Sequence, residues 1–133
     1  MDSISIIRTP IESELEAFKE LYDSSLSSSN TLLDSVVAHI RQRSGKMMRP
    51  ILVLLVARLY GVVSPATLHA AVSLELLHNA SLVHDDVVDE STERRGQLSV
   101  PSGIPAPRIE SVIRAILSGP LNLWMSCSKY LGR

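Results

Sequence analysis

Between residues 78 and 89 the chain sets His78 and three carboxylates at spacings suited to a metal-bound anion. Asp85 and Asp89 are four apart, so on a helix they stack on one face. Asp86 lies beside them, and His78 precedes Asp85 by seven residues. At about 100° per residue, seven residues fall within roughly 20° of two full turns. One helix would therefore direct His78, Asp85 and Asp89 the same way, with no Lys or Arg between them. Carboxylates at this spacing repel and weaken a helix unless a cation offsets them. Oxygen ligands with open positions suit Mg²⁺, which takes one or two carboxylates and fills its shell with substrate phosphates. The plain alternative is a solvated acidic helix end. Two features favour the metal: the residues before Asp85 are too apolar for a surface helix, and Arg94 and Arg95 follow closely. Carboxylates and arginines converging at a helix end suit a metal-bridged diphosphate.

A second cluster, Gly45-Lys46-Met47-Met48-Arg49-Pro50, sets two cations three residues apart where Pro50 opens an apolar run. Open N–H groups at a helix start already favour anions. Lys46 and Arg49 there would make a second diphosphate site, the alternative being a basic loop snorkelling at a helix start.

Helices must position both clusters. Thr9, Pro10 and Glu12 read as a capped helix start, followed at helical spacing by Ile11, Leu15, Phe18, Leu21 and Tyr22. Residues 24–30 read as a serine-rich loop, and 31–43 as a second helix with Leu32, Leu33, Val36, Val37 and Ile40 on one face, ended by Gly45. From Pro50 to Leu59 the sequence is apolar almost all round, which predicts a buried helix stopped by Gly61. Ser64-Pro65 then opens the longest helix, over 65–90. No period-2 strand pattern appears before Val100. The expected fold class is all-α, a helical bundle with at least four helices in residues 1–100.

Composition agrees. Hydrophobic residues make up 45% of 133 and aromatics 4%, which favours packed helices over a sandwich. A net charge of -1 argues against nucleic acid or a polybasic membrane surface. Cys127, the lone cysteine, cannot form an intrachain disulfide. The longest apolar run is far short of the roughly 20 residues that span a bilayer, and residues 1–9 lack a signal peptide's pattern. A cytoplasmic protein is expected.

Gly-Lys-Met-Met-Arg-Pro resembles the G-K-x-x-R-P motif of the trans-isoprenyl diphosphate synthases. His84-Asp85-Asp86-Val87-Val88-Asp89, with Arg94-Arg95-Gly96 behind it, resembles their first aspartate-rich motif. The likeness covers residues 11–100 and is closest to bacterial long-chain polyprenyl synthases. It implies the N-terminal part of an all-helical fold around a deep cavity, usually a homodimer. It implies a prenyltransferase in which an allylic diphosphate loses its diphosphate and the cation is attacked by isopentenyl diphosphate. By that resemblance Asp85 and Asp89 bind Mg²⁺ on the allylic diphosphate, with Asp86 supporting. Arg94 holds the allylic diphosphate, and Lys46, Arg49, His78 and Arg95 hold isopentenyl diphosphate. The cation needs an apolar tunnel that keeps water out. Ser81 lies one turn below Asp85 and Ala80 beside it. Side chains this small leave room for a growing chain, so a long product is expected of the full enzyme. His78 has a second reading, a buried histidine bonded to a neighbour. His39, His69 and His84 read as structure or surface, Cys127 and Trp124 as packing.

From Pro101 onward the motif-level likeness stops. Four of the seven prolines lie at 101–120, and no aspartate follows Asp89. Ile109, Val112, Ile113, Ile116 and Leu117 would share a face of a short helix over 108–117, in a poorly packed tail over 101–133. The family's second aspartate-rich motif is missing, so the chain reads as a truncated or frame-shifted version of a longer synthase, inactive alone. The alternatives are a small non-catalytic, diphosphate-binding subunit of a two-part synthase and a remnant without function.

Overall fold

In a computed structural model of the protein, residues 3–26, 37–38, 47–88, 93–94, 97–98, 111, 113–114 and 118 are described, with backbone alone at 86–88, 93–94 and 97–98. Helix α1 spans Ser3–Arg8, a 3₁₀ turn follows at Thr9–Ile11, and α2 runs over Glu12–Ser25. The capped start expected at Thr9 does not form, because the chain is already helical from Ser3. The Thr9 hydroxyl instead donates back to the Ser5 carbonyl at 2.9 Å. Pro10 has no N–H to continue the ladder, so the junction tightens into the 3₁₀ turn. Glu12 and Glu14 lie in the first turn of α2, where the helix dipole favours them, but neither closes a capping box. Ser24 and Ser25, expected in the serine-rich loop, are helical, their hydroxyls donating to the Leu21 carbonyl at 2.9 and 2.7 Å. The rest of that expected loop, 27–30, lies outside the described residues.

Helix α3 spans Met48–Tyr60, two residues earlier than Pro50 suggested. Pro50 sits in its first turn, where no backbone N–H is needed. Met47 precedes it in the left-handed region (φ 50°, ψ 42°), and its carbonyl accepts the Ile51 N–H at 3.2 Å. Gly61, at φ 144°, ends the helix as expected. Helix α4 spans Pro65–Val88. Its expected cap forms: the Thr67 N–H donates to the Ser64 hydroxyl at 3.2 Å.

α3 and α4, joined by a short turn, pack against each other, and α2 packs against both. Ile11, Leu15, Phe18, Tyr22, Leu26, Ile51, Leu54, Ala71, Val72 and Leu76 form the core. The Phe18 and Tyr22 rings stack with centroids 5.7 Å apart. A hydrogen bond from the Asn79 amide to the Tyr22 hydroxyl, 2.7 Å, pins α4 to α2. Of the helix expected over 31–43, Val37 and Ala38 are described, both helical, with Val37 in the core. The rest of that segment lies outside the described residues. Ser111, Ile113, Arg114 and Ser118 are helical, in or beside the expected 108–117 helix.

Two expectations need correction. Neither α3 nor α4 is buried all round: Leu52, Val56, Leu74 and Leu77 are between 43% and 56% exposed, and Leu59 and Tyr60 more so. The described elements cover only one side of each helix. A two-stranded antiparallel ribbon, β1 (Glu93–Arg94) with β2 (Gln97–Leu98), pairs Glu93 with Leu98 and Arg94 with Gln97. Two residues per strand are too few to show an alternating pattern. The architecture remains all-α in class. No helix among the described residues is long and apolar enough to cross a membrane.

Candidate active site

The short turn at residues 61–64 makes α3 and α4 antiparallel, so the start of α3 lies beside the middle of α4. Arg49, in the first turn of α3, reaches Glu75 of α4, with Nη1 4.0 Å from Oε2. α4 continues well past this point. At about 1.5 Å per residue, His78 lies roughly 5 Å beyond Glu75 and Asp85 roughly 15 Å beyond it. One pair of helices thus carries a cation at one level and a carboxylate about three turns further along.

Asp85 sits on an open face. Leu74, Leu77, Ser81 and Asp85 recur at three- and four-residue steps, within about 80° of helix circumference. All four are exposed, Leu74 at 43%, Leu77 at 52% and the Asp85 side chain at 56%. Directly below the carboxylate is therefore a small residue, then an apolar stripe. His78 is half-buried and lies near this stripe; its carbonyl accepts the Ser81 hydroxyl at 2.7 Å. Ala80 points elsewhere: it is 1% exposed, on the buried side of α4. The neighbouring positions read together as a product path thus face opposite environments, and only Ser81 shares the face of Asp85.

His84 Nδ1 lies 3.8 Å from Asp85 Oδ1, with both side chains more than half exposed. Such a pair contributes little. Among the described residues the Asp85 carboxylate has no Lys or Arg partner, and its hard oxygens suit Mg²⁺. Asp86 is helical in the same turn. Asp89, Lys46 and Arg95 lie outside the described residues, and Arg94 lies in β1. His69 is half-buried with Nδ1 lacking a hydrogen-bond partner among the described residues, about 24 Å along α4 from Asp85.

Sequence reasoning assigned no role to Glu75. It is 6% exposed, and Oε2 has no hydrogen-bond partner among the described residues. Burial pushes its carboxyl above the ordinary 4.5, and the nearby Arg49 guanidinium only partly opposes this. The available signal was a charged residue on the buried face of an otherwise apolar helix.

Comparison with known proteins identifies the class. The sequence matches the polyprenyl synthetase family over residues 30–129, and the chain belongs to that family. The matched range runs past Val100, where the motif-level likeness stops. The chain is similar to heptaprenyl diphosphate synthase component 2 of Geobacillus stearothermophilus, 39% identical over 90 residues covering 68% of this chain and 28% of that one. It is also similar to the all-trans-nonaprenyl-diphosphate synthase (geranyl-diphosphate specific) of Rhodobacter capsulatus, 42% identical over 94 residues, again covering 68% and 28%. The crystal structure of a decaprenyl diphosphate synthase from Rhodobacter capsulatus superposes with a TM-score of 0.82 at 30% identity, covering 92% of this chain and 38% of that one. A polyprenyl synthase from Caulobacter crescentus, solved with calcium and isoprenyl diphosphate, shares the fold, with a TM-score of 0.83 at 24% identity. The chain thus spans under two fifths of the length of these proteins.

Proposed function

We propose that this chain supplies the diphosphate-binding half of a trans-polyprenyl diphosphate synthase site, which joins isopentenyl diphosphate to an allylic diphosphate in isoprenoid biosynthesis. The observation that carries this reading is the open face of α4, with a carboxylate at its end and Ser81, Leu77 and Leu74 below it. A diphosphate held at Asp85 would lay its prenyl tail along that stripe. Asp85 and Asp89, with Asp86 supporting, are the residues that would hold Mg²⁺. The ion would neutralise charge developing on the departing diphosphate. Arg94 would grip the allylic diphosphate. Lys46, Arg49, His78 and Arg95 would hold isopentenyl diphosphate, and the roughly 10 Å from His78 to Asp85 along α4 leaves room for two ligands end to end. A cytoplasmic location belongs to the same proposal.

The same stripe argues that this chain does not elongate prenyl chains by itself. Leu74 and Leu77 stand open, so water would reach a carbocation formed there. It also favours a second reading, a subunit whose site is closed by a longer prenyl synthase; co-purification with such a protein would support it. The direct test is thermal denaturation with Mg²⁺, with inorganic diphosphate, and with both. Both together should stabilise more than the sum of each alone, because the metal needs phosphate oxygens to complete its shell. Asp85→Ala should abolish that synergy. Equal shifts in parent and variant would remove Asp85 from the site.

A further inference from the structure

The Arg49–Glu75 pair poses a problem of energetics. A carboxylate 6% exposed should be fully hydrogen-bonded or replaced by an apolar residue. Buried ion pairs seldom stabilise a fold more than apolar residues of the same size. Here the pairing is incomplete: Oε2 lies 4.0 Å from Arg49 Nη1, beyond hydrogen-bond length, and accepts no other bond among the described residues. The two partners are also unequal. Glu75 is held within the packing of α4, whereas 45% of the Arg49 side chain is exposed at the head of α3.

From this asymmetry we infer that Glu75 is a positioning residue, a fixed carboxylate that orients the Arg49 guanidinium toward a diphosphate. The inference rests on the proposed role of Arg49 as a diphosphate ligand. A guanidinium has five N–H donors in a rigid plane. At 4.0 Å the carboxylate attracts that plane without consuming a donor in a hydrogen bond. The donors remain available to a second acceptor, and the stem is restrained before the ligand arrives. Restraint before binding reduces the side-chain entropy lost in the complex. Met47 adds to this, because its left-handed backbone immediately before α3 sets the direction in which the first turn leaves. A carboxylate close to an anion site also repels the anion. Glu75 is buried and the Arg49 side chain is 45% exposed, so an anion arriving from solvent meets the guanidinium first, and loss of orientation should outweigh relief of repulsion.

The test is calorimetric titration of the 133-residue chain with inorganic diphosphate in Mg²⁺, for the parent, Glu75→Gln, Arg49→Ala and the double variant. Glu75→Gln should weaken binding about tenfold, the coupling expected of residues in contact. Its unfolding midpoint at neutral pH should hold or rise, since the buried charge is gone, whereas a purely structural residue would lose stability as well. In the Arg49→Ala background Glu75→Gln should change nothing, because Glu75 acts through the guanidinium. If Glu75→Gln loses its helical signal, Glu75→Met, of similar volume, carries the same comparison. Unchanged or tighter binding by Glu75→Gln, with Arg49→Ala still weakened, overturns the positioning role alone. Parent-like binding by Arg49→Ala overturns the role of Arg49 in the site, and this inference with it.

Discussion

Tyr22→Phe should destabilise the protein by about 1–2 kcal/mol. The substitution removes one oxygen and keeps the ring, so the stack on Phe18 at 5.7 Å survives. What is lost is the acceptor for the Asn79 amide, 2.7 Å away and 57 residues distant in sequence. A neutral hydrogen bond contributes roughly 1 kcal/mol net, and a half-buried amide left unpaired adds part of its desolvation cost. Asn79→Ala should cost less, because alanine recovers about 0.5 kcal/mol of helix propensity in the middle of α4. Urea unfolding of both single variants and the double variant gives the coupling, expected near 1 kcal/mol. The midpoint should move without a change in slope, since the surface exposed on unfolding is the same. A coupling below about 0.3 kcal/mol, within the additivity of independent sites, would mean that the two groups do not meet in solution. The consequence reaches the site. This bond ties the buried side of α4 to α2, and with the buried Ala71, Val72, Leu76 and Ala80 it holds the rotation that turns Ser81 and Asp85 outward.

Two further predictions concern the same helix. Ala80→Phe should cost on the order of 1–3 kcal/mol by overpacking, because Ala80 is 1% exposed, whereas Ser81→Phe should change stability by less than about 0.5 kcal/mol. Thermal unfolding of the two variants checks this, and equal losses would show that α4 is rotated differently. Glu75 should impose a pH signature. Its carboxyl is raised above 4.5 in the folded state, so the native protein keeps a proton that the unfolded chain releases. Stability relative to Glu75→Gln is therefore greatest below 4.5 and falls as pH rises through the folded-state value. A difference between parent and variant that grows in favour of the parent as pH rises would reverse the sign and refute the burial of an unsatisfied carboxylate.

Local chemistry in the sequence was enough to determine the all-α class, the stop at Gly61, the Ser64 cap on α4 and the apolar stripe of α2. Each depends on a residue's own backbone preference or on neighbours within one or two turns. The two motifs were legible for the same reason: Lys46 and Arg49, like His78, Asp85 and Asp89, are close in sequence, and helical spacing alone suggests a shared face. The start at Ser3 was missed because a proline at position 10 reads as an opening signal even inside a helical run. Which side of α3 and α4 faces inward was not legible. Both are apolar nearly all round, so their patterns favour no single face, and docking against α2 decides it. That docking separates buried Ala80 from exposed Ser81, although the two are adjacent and both small. It also produces the Arg49–Glu75 pair, whose members lie 26 residues apart in sequence. Only the antiparallel return of α4 past the head of α3 brings that carboxylate to that guanidinium, and tertiary packing alone makes it a buried charge.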